Sequence, residues 1–265
     1  MKILLINLDQ SKDRLAQQQA QFRDLDLDFE RLPAVSIHDF SEDEYKSMAF
    51  GGQRPMKQSE LACFLSHKKA WDYIVEYNEP CVVLEDDAIL VKDFKKILND
   101  LIQLKEIDYV NLEVHGRKKT VAKKKTYSLA DKNYNLLEIY IDRSGTGGYI
   151  LYPQGAKILL DFMNNRAIGL SDEFIHSCYE LKAYQIEPAA LLQSDKCPEY
   201  AVPCKYIHES VIAQVKNKVN FDLTASEKSK FKMRRIKTLI NLGLRQLKYL
   251  GISVKREIVV NSSRF

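Results

Sequence analysis

No apolar run in this chain approaches the ~18–20 residues that a bilayer-spanning helix needs, so no segment reads as transmembrane. The start, MKILLINLDQSKDR, is apolar for only a few residues before it turns charged. It lacks the h-region and cleavage site of a signal peptide and is expected to be a first β-strand in the cytoplasm. Cysteine is sparse and odd in number: Cys63, Cys81, Cys178, Cys197 and Cys204 are scattered, with no C-x-x-C pair. That argues against a disulfide framework or a closed zinc site and leaves buried free thiols as the expectation. Internal repeats and low-complexity tracts are absent too. What is present is 45% hydrophobic residues in 265, enough for a sizeable core in one large α/β domain with room for a small appendage.

Charge is unevenly spread. Residues 226–265 hold 11 Lys and Arg against 2 Asp and Glu, whereas residues 1–225 hold 29 against 34. A slightly acidic body (1–225) is therefore followed by a basic segment (226–265), which suggests a polyanionic partner for that segment. Aromatic interleaving and nucleic-acid-binding motifs are lacking, which argues against nucleic acid. Residues 226–250 pattern as a helix with Ile236, Leu239, Ile240, Leu244 and Leu247 on one stripe and cations around it. An interfacial helix on anionic lipid fits that pattern, and so does a C-terminal helix packed on the body.

Along the body, Lys2–Leu8, Phe29–Val35, Cys81–Leu84, Tyr109–Val114, Leu136–Ile141, Gly148–Tyr152 and Tyr184–Glu187 read as strands. Helices are expected over Ser11–Leu25, from a Ser59 cap to Tyr77, over Asp93–Leu104 and Gly155–Asn164, and in a short turn starting at Asp172 behind a Ser171 cap. Ser36–Lys57, polar and containing Gly51-Gly52, is expected to be a long loop able to close over a ligand; Arg117–Lys125 is expected to be a basic surface loop or hairpin. Strands alternating with helices give an α/β fold with a largely parallel start.

The most informative stretch is VVLEDDAIL. Four apolar residues, as in a buried strand, lead into Glu85-Asp86-Asp87. Ligands of open α/β sheets bind beyond the carboxyl ends of strands. Three adjacent carboxylates there repel one another unless a cation or ligand hydroxyls compensate. A hard divalent ion suits such oxygens and can stabilise a diphosphate leaving group. An acidic turn capping the next element is the plainer alternative, and spacing alone leaves glycosyl transfer, nucleotidyl transfer and phosphate hydrolysis open.

SELACFLSHKKAW followed by VVLEDDA, with ILLINLDQSKDRL, FERLPAV, GTGGYILYPQGAKILL, LSDEFI and YQIEPAALLQS in order over about residues 1–195, resembles glycosyltransferase family 25, the bacterial lipooligosaccharide galactosyltransferases. The resemblance implies a GT-A type fold, a Rossmann-like mixed sheet flanked by helices. It implies a UDP-sugar donor, commonly UDP-galactose, with Mn²⁺ or Mg²⁺, and inverting transfer to a terminal sugar of lipooligosaccharide. With the charged start and the basic segment, the expected location is the cytoplasm, peripheral on the inner face of the inner membrane. Carried over by position, Asp87 is the direct metal ligand, Glu85 lies near the ribose or a metal-bound water, and Asp86 accompanies them. Asp172 is the general base, with Glu173 as the fallback; here Leu170-Ser171-Asp172 stands where the family segment is Pro-Val-Asp-like. His208 is a candidate second protein ligand of the metal.

Asn7, Leu8 and Arg14 follow the first strand and are expected at the uridine and diphosphate, Arg14 otherwise being a solvated helix charge. Ser66 and His67 are expected at the donor, a satisfied core histidine being the alternative for His67. Gly145 and Thr146 are expected to bring backbone close to the sugar unless they form a plain hairpin turn. Two rival classes remain: a non-catalytic nucleotide- or carbohydrate-binding relative, and a glycoside hydrolase with two carboxylates. A transferase needs UDP-sugar and metal, a hydrolase needs neither, and a binding protein turns nothing over.

Overall fold

The computed structural model describes residues 1–204, 207, 221 and 223–265. Strand β1 (Lys2–Asn7) leads into α1 (Lys12–Asp24) and β2 (Glu30–Pro33), with β1 and β2 parallel. Then come α2 (Glu42–Ala49), α3 (Gln58–Tyr77), β3 (Cys81–Glu85), β4 (Ala88–Leu90), α4 (Phe94–Leu101), β5 (Tyr109–Asn111), β6 (Lys119–Ala122), β7 (Tyr127–Leu129), β8 (Tyr134–Ile141) and β9 (Gly148–Leu151). The chain continues through α5 (Pro153–Asn165), α6 (Ser171–Ser177), β10 (Ala183–Glu187), β11 (Leu191–Gln193), a 3₁₀ turn (Ser194–Tyr200), α7 (Ala225–Lys248) and β12 (Ser253–Arg256).

The main sheet runs β12-β6-β8-β10-β5-β9-β3-β1-β2, with β7 beside β8; β4 and β11 form a separate antiparallel pair. β1, β2 and β3 are parallel, β9 inserts antiparallel between β3 and β5, and β10 runs parallel to β5. The α/β architecture expected from the sequence is therefore present, as a mixed sheet flanked by helices. Alternation along β1 explains why both faces are covered. Ile3 and Leu5 enter the cluster holding Phe22, Phe94 and Ile97, while Leu4 and Ile6 enter the one holding Phe64, Trp71 and Phe174. Buried on both sides, the strands read as continuous apolar runs. The carboxyl ends of β1, β3 and β5 lie on one edge, which places Asn7, Glu85 and the residues after Asn111 together.

Four local expectations need correction. Ser36–Lys57 contains α2, started by a capping box in which the Glu44 backbone N–H donates to Ser41 Oγ and the Ser41 backbone N–H donates to Glu44. The S-x-x-E signal stood in the sequence among polar neighbours, and burial of Tyr45, Ala49 and Met56 completes the packing. Residues 117–125 are not all surface loop: Lys119–Ala122 is β6, paired with β8 and β12, and the buried Lys119 Nζ donates to Gln185 Oε1 at 2.7 Å. Ser59 does not cap α3, which starts one residue earlier and is held by the Lys57 backbone N–H donating to the Glu60 carboxylate. Ser171 is the first residue of α6, behind Leu170, and not its cap.

The basic segment also packs differently from its pattern. Phe231, Arg234, Thr238, Leu242, Arg245 and Tyr249 turn toward the body: Arg234 donates to the Phe50 and Gly52 carbonyls, Arg245 to Tyr140 O, and Tyr249 stacks on Tyr140. β12 then adds to the sheet edge at β6, and Arg264 pairs with Asp93. The stripe Met233, Ile236, Ile240, Leu244 and Leu247 lies on the far side, 47% to 67% exposed. Among the described residues no helix is long and apolar enough to cross a membrane.

Candidate functional site

Two cavities open at the carboxyl edge of the sheet and share Glu85 and Cys63. The first, about 230 Å³, is lined by Asn7, Leu8 and Arg14 after β1, Val35 to Ile37 after β2, Ser66 and His67 on α3, and Asp86 and Asp87. The second, about 270 Å³, is lined by Thr146, Gly145, Asp172, Gln193, His115 and Glu60. Asp172 and the acids after β3 thus face connected space although 85 residues of sequence separate Asp172 from Asp87.

The three consecutive acids have different lives. Asp86 turns inward: Asn7 Nδ2 donates to it at 2.7 Å and Arg14 pairs with it at 3.0 Å, while Gln18 holds its backbone carbonyl. It is a tether between β3 and the β1–α1 region. Glu85 accepts from Thr146 Oγ1 at 3.1 Å and contacts His67 Nε2 at 3.2 Å. Burial opposes its charge, yet the bonds from His67 and Thr146 hold its pKa below the usual value. Asp87 is buried, and its Oδ1 has no hydrogen-bond partner among the described residues. Burial, then the charges of Glu85 and Asp86, push its pKa up to about 8.

His67 serves this arrangement from inside. Trp71 Nε1 can only donate, so Tyr149 Oη accepts from it at 3.0 Å. The Glu85 carboxylate accepts from His67 Nε2, which leaves His67 Nδ1 to accept from the Tyr149 hydroxyl at 3.0 Å. The tautomer follows from this donor chain, and the histidine positions Glu85. Ser66 lines the cavity, but its hydroxyl is engaged with Ala62 O and the Val35 backbone N–H. Cys63, His67 and Glu85 lie within 4.8 Å of one another. Burial pushes the Cys63 thiol far up, and both His67 nitrogens already have partners, so the trio reads as a packed network.

A hard divalent cation suits the carboxylate oxygens better. The orphaned Asp87 Oδ1 beside Glu85 is the donor chemistry Mn²⁺ or Mg²⁺ prefers, and positive charge would relieve the repulsion recorded in the Asp87 pKa. His208 lies outside the described residues.

Of the two candidate bases, Asp172 lines the second cavity. Glu173 points to the α2 side, where Gln53 donates to it, and burial raises its pKa. Asp172 Oδ1 accepts from the Glu173 backbone N–H at 2.7 Å, which orients the carboxylate at the start of α6.

Sequence reasoning passed over Glu113, which is fully buried just beyond β5. Gly147 N donates to its Oε1 at 2.7 Å, while Oε2 has no partner among the described residues. Burial, then Glu85, push its pKa up to about 8. The carboxylate shapes the 144–147 turn: Gly145 has φ +99°, and a Cβ there would sit 2.4 Å from Glu113 Oε1. Glycine is needed for both reasons, so Gly145 and Thr146 reach the site because Glu113 holds the turn. The rule that singled out Glu85–Asp87, an acid at the end of an apolar strand, also applied to Tyr109–Val114. Gln193, on β11, reaches Glu85 through a strand too short to recognise beforehand.

The family model described as "Glycosyltransferase family 25 (LPS biosynthesis protein)" matches residues 1–175. A "Glycosyltransferase 25 family member" of Aedes aegypti is 30% identical over 191 residues, covering 65% of this chain and 30% of its own length. "Procollagen galactosyltransferase 1-B" of Xenopus laevis is 26% identical, with 72% of this chain and 35% of its own length covered. "Lacto-N-neotetraose biosynthesis glycosyltransferase LgtE" of Neisseria meningitidis is 31% identical, with 41% of each covered. The chain thus spans 30% to 41% of the length of these relatives. With the match running through β1, the acids after β3, the 144–147 turn and the start of α6, the chain belongs to glycosyltransferase family 25.

Proposed function

We propose that the chain transfers a hexose, galactose in the first instance, from a UDP-sugar to a terminal sugar of a lipooligosaccharide-type acceptor, with inversion. The observation that carries this reading is the pair of cavities meeting at Glu85, with Asp87, whose Oδ1 has no partner among the described residues, on one side and Asp172 on the other. Relatives named for galactosyl transfer and for lacto-N-neotetraose biosynthesis support the sugar and the acceptor class.

In this reading the uridine and diphosphate enter the first cavity, beside Asn7, Leu8 and Arg14, and the acceptor sugar enters the second. Asp87 and Glu85 would hold Mn²⁺ or Mg²⁺, which supplies positive charge to the departing diphosphate. Asp172 takes the proton of the acceptor hydroxyl as its oxygen attacks the anomeric carbon from the face opposite the leaving group. The new glycosidic bond forms as the bond to the diphosphate oxygen breaks, and UDP departs. Glu113 and the 144–147 turn hold Thr146 against Glu85, and His67 fixes the other side of that carboxylate. The acceptor is membrane-borne, and the outward stripe of α7, ringed by lysines and arginines, faces an anionic inner-membrane surface.

UDP release from a panel of UDP-sugars, measured with Mn²⁺ and with chelator, tests the proposal. Release from one donor that chelator stops and Asp87→Ala abolishes is the expected result. Release indifferent to both would overturn the metal assignment; UDP binding without turnover, even with sugar acceptors supplied, would overturn the transferase reading.

A further inference from the structure

Where α6 ends against α7, a cavity of about 240 Å³ opens that is separate from the two at the sheet edge. Its wall carries Arg166, Arg245, Lys248, Asn241, Tyr179 and Leu244. Three of these are cations, and none of them forms an ion pair with a carboxylate among the described residues. Arg245 is held in place beforehand: its Nε donates to Tyr140 O at 2.7 Å, and its guanidinium lies 3.9 Å over the Tyr179 ring. A guanidinium pinned through Nε and packed on the Tyr179 and Tyr249 rings has little ordering left to lose when its terminal N–H edge meets an oxyanion.

The place of this cavity in the fold tells what kind of anion it meets. Leu244 in its wall belongs to the outward aliphatic stripe of α7, so the cationic cavity sits at the margin of a row of exposed aliphatic side chains. Lys230, Lys237 and Lys248 flank that stripe, and Glu227 is the one acid in the α7 sequence. An apolar stripe bordered by cations is the chemistry of a helix lying in a bilayer interface, where phosphates sit level with the flanking charges. The cavity also adjoins the reaction centre through one short element. Ser177, in its wall, is five residues from Asp172 on α6, about 7.5 Å along the helix axis.

We infer that the cavity between α6 and α7 is a binding site for the phosphate of an anionic lipid headgroup, seated there when the stripe of α7 lies on the bilayer. This rests on the interfacial reading of α7 given above and adds a specific site to it. The bound phosphate fixes the depth and tilt of α6, and with it Asp172, relative to the membrane surface.

Co-sedimentation of the full chain with vesicles of phosphatidylglycerol and phosphatidylcholine, against phosphatidylcholine alone, is the test. It reads binding without any need for turnover, so it succeeds or fails independently of the transferase assignment. The wild type is expected to bind the anionic vesicles and not the zwitterionic ones. Leu244→Ser with Leu247→Ser should abolish binding. Arg166→Gln with Lys248→Gln should weaken it by clearly more than Lys230→Gln with Lys237→Gln, which removes two charges outside the cavity; charge alone is worth roughly 30-fold for such a pair. Circular dichroism of these surface variants guards against misfolding. Equal losses for the two charge pairs would reduce the effect to surface potential and overturn the cavity. Failure of the wild type to bind anionic vesicles would overturn the interfacial reading along with it. Inorganic phosphate that raises the thermal midpoint of the wild type but not of Arg166→Gln with Lys248→Gln, without vesicle binding, would assign the cavity to a free phosphate instead.

Discussion

The carboxyl edge of the sheet and the outer face of α7 depart in opposite directions from the usual partition of polar and apolar groups. At the edge, Asp87 and Glu113 are buried, each with an oxygen that no described residue satisfies. On α7, Leu244 and Leu247 are more than 60% exposed. α4 is the ordinary case between them, with Phe94, Ile97, Leu98 and Leu101 all buried against the sheet. A native chain keeps buried acids lacking partners and exposed leucines in rows only where something else completes them. The lesson of the pair is that such departures mark where a ligand is to be sought: the proposed cation and diphosphate at one, the proposed lipid surface at the other.

The largest effect is expected at the edge. Asp87→Asn should lower sugar transfer about 10³-fold, because charge stabilisation of the leaving group is worth several kcal/mol. In chelator-treated protein it should leave the thermal midpoint unchanged or higher, since it removes a charge that Glu85 and Asp86 repel. A fall in the midpoint would mean that Asp87 supports the fold and would weaken the contrast. Next comes a matched pair of truncations, followed by denaturant titration. Leu101→Ala on α4 should cost about 2–5 kcal/mol. Leu247→Ala on α7 should stay within about 0.5 kcal/mol. Similar costs at the two sites would show that the outer stripe of α7 is covered in solution after all.

The smallest effect separates an acid with a partner from one without. Glu187 is buried; burial opposes its charge, but the fork of Arg256, bonded at 2.7 Å through its second nitrogen, and the Val259 N–H hold its pKa below the usual 4.5. A depressed folded pKa means the stabilisation is complete above 4.5 and is lost as pH falls through the lower folded value. Arg256→Gln should cost about 1–2 kcal/mol at neutral pH and flatten this acid limb of the stability profile. A profile of unchanged slope would detach the pair from acid unfolding.

Much of this was legible one residue type at a time. CVVL before three acids specified a buried strand and a charged exit, because two-sided burial demands continuous apolar residues and an acid row cannot follow them inward without a partner. Asp172 is expected from the resemblance without its Pro-Val neighbours, and the structure places it in the wall of the second cavity. Other features were present as signals too local to rank, such as the Ser41–Glu44 capping box behind α2. β4, β7, β11 and β12, at three or four residues each, exist because neighbouring strands pair with them.

The amino-acid sequence by itself determined the α/β alternation, the acids at the end of β3 and the amphipathic stripe of α7, since strand and helix periodicities are properties of the local chain. Only the tertiary structure decided that Asp86 would turn to Asn7 and Arg14 while Asp87 Oδ1 kept no partner among the described residues, for the partners of Asp86 come from β1 and α1, more than 70 residues away. It alone brought Glu113 beneath the 144–147 turn. It also turned the aliphatic stripe of α7 outward, because Phe231, Leu242, Arg245 and Tyr249 found better partners on the body. Periodicity defines a face; what that face meets depends on surfaces assembled from distant parts of the chain.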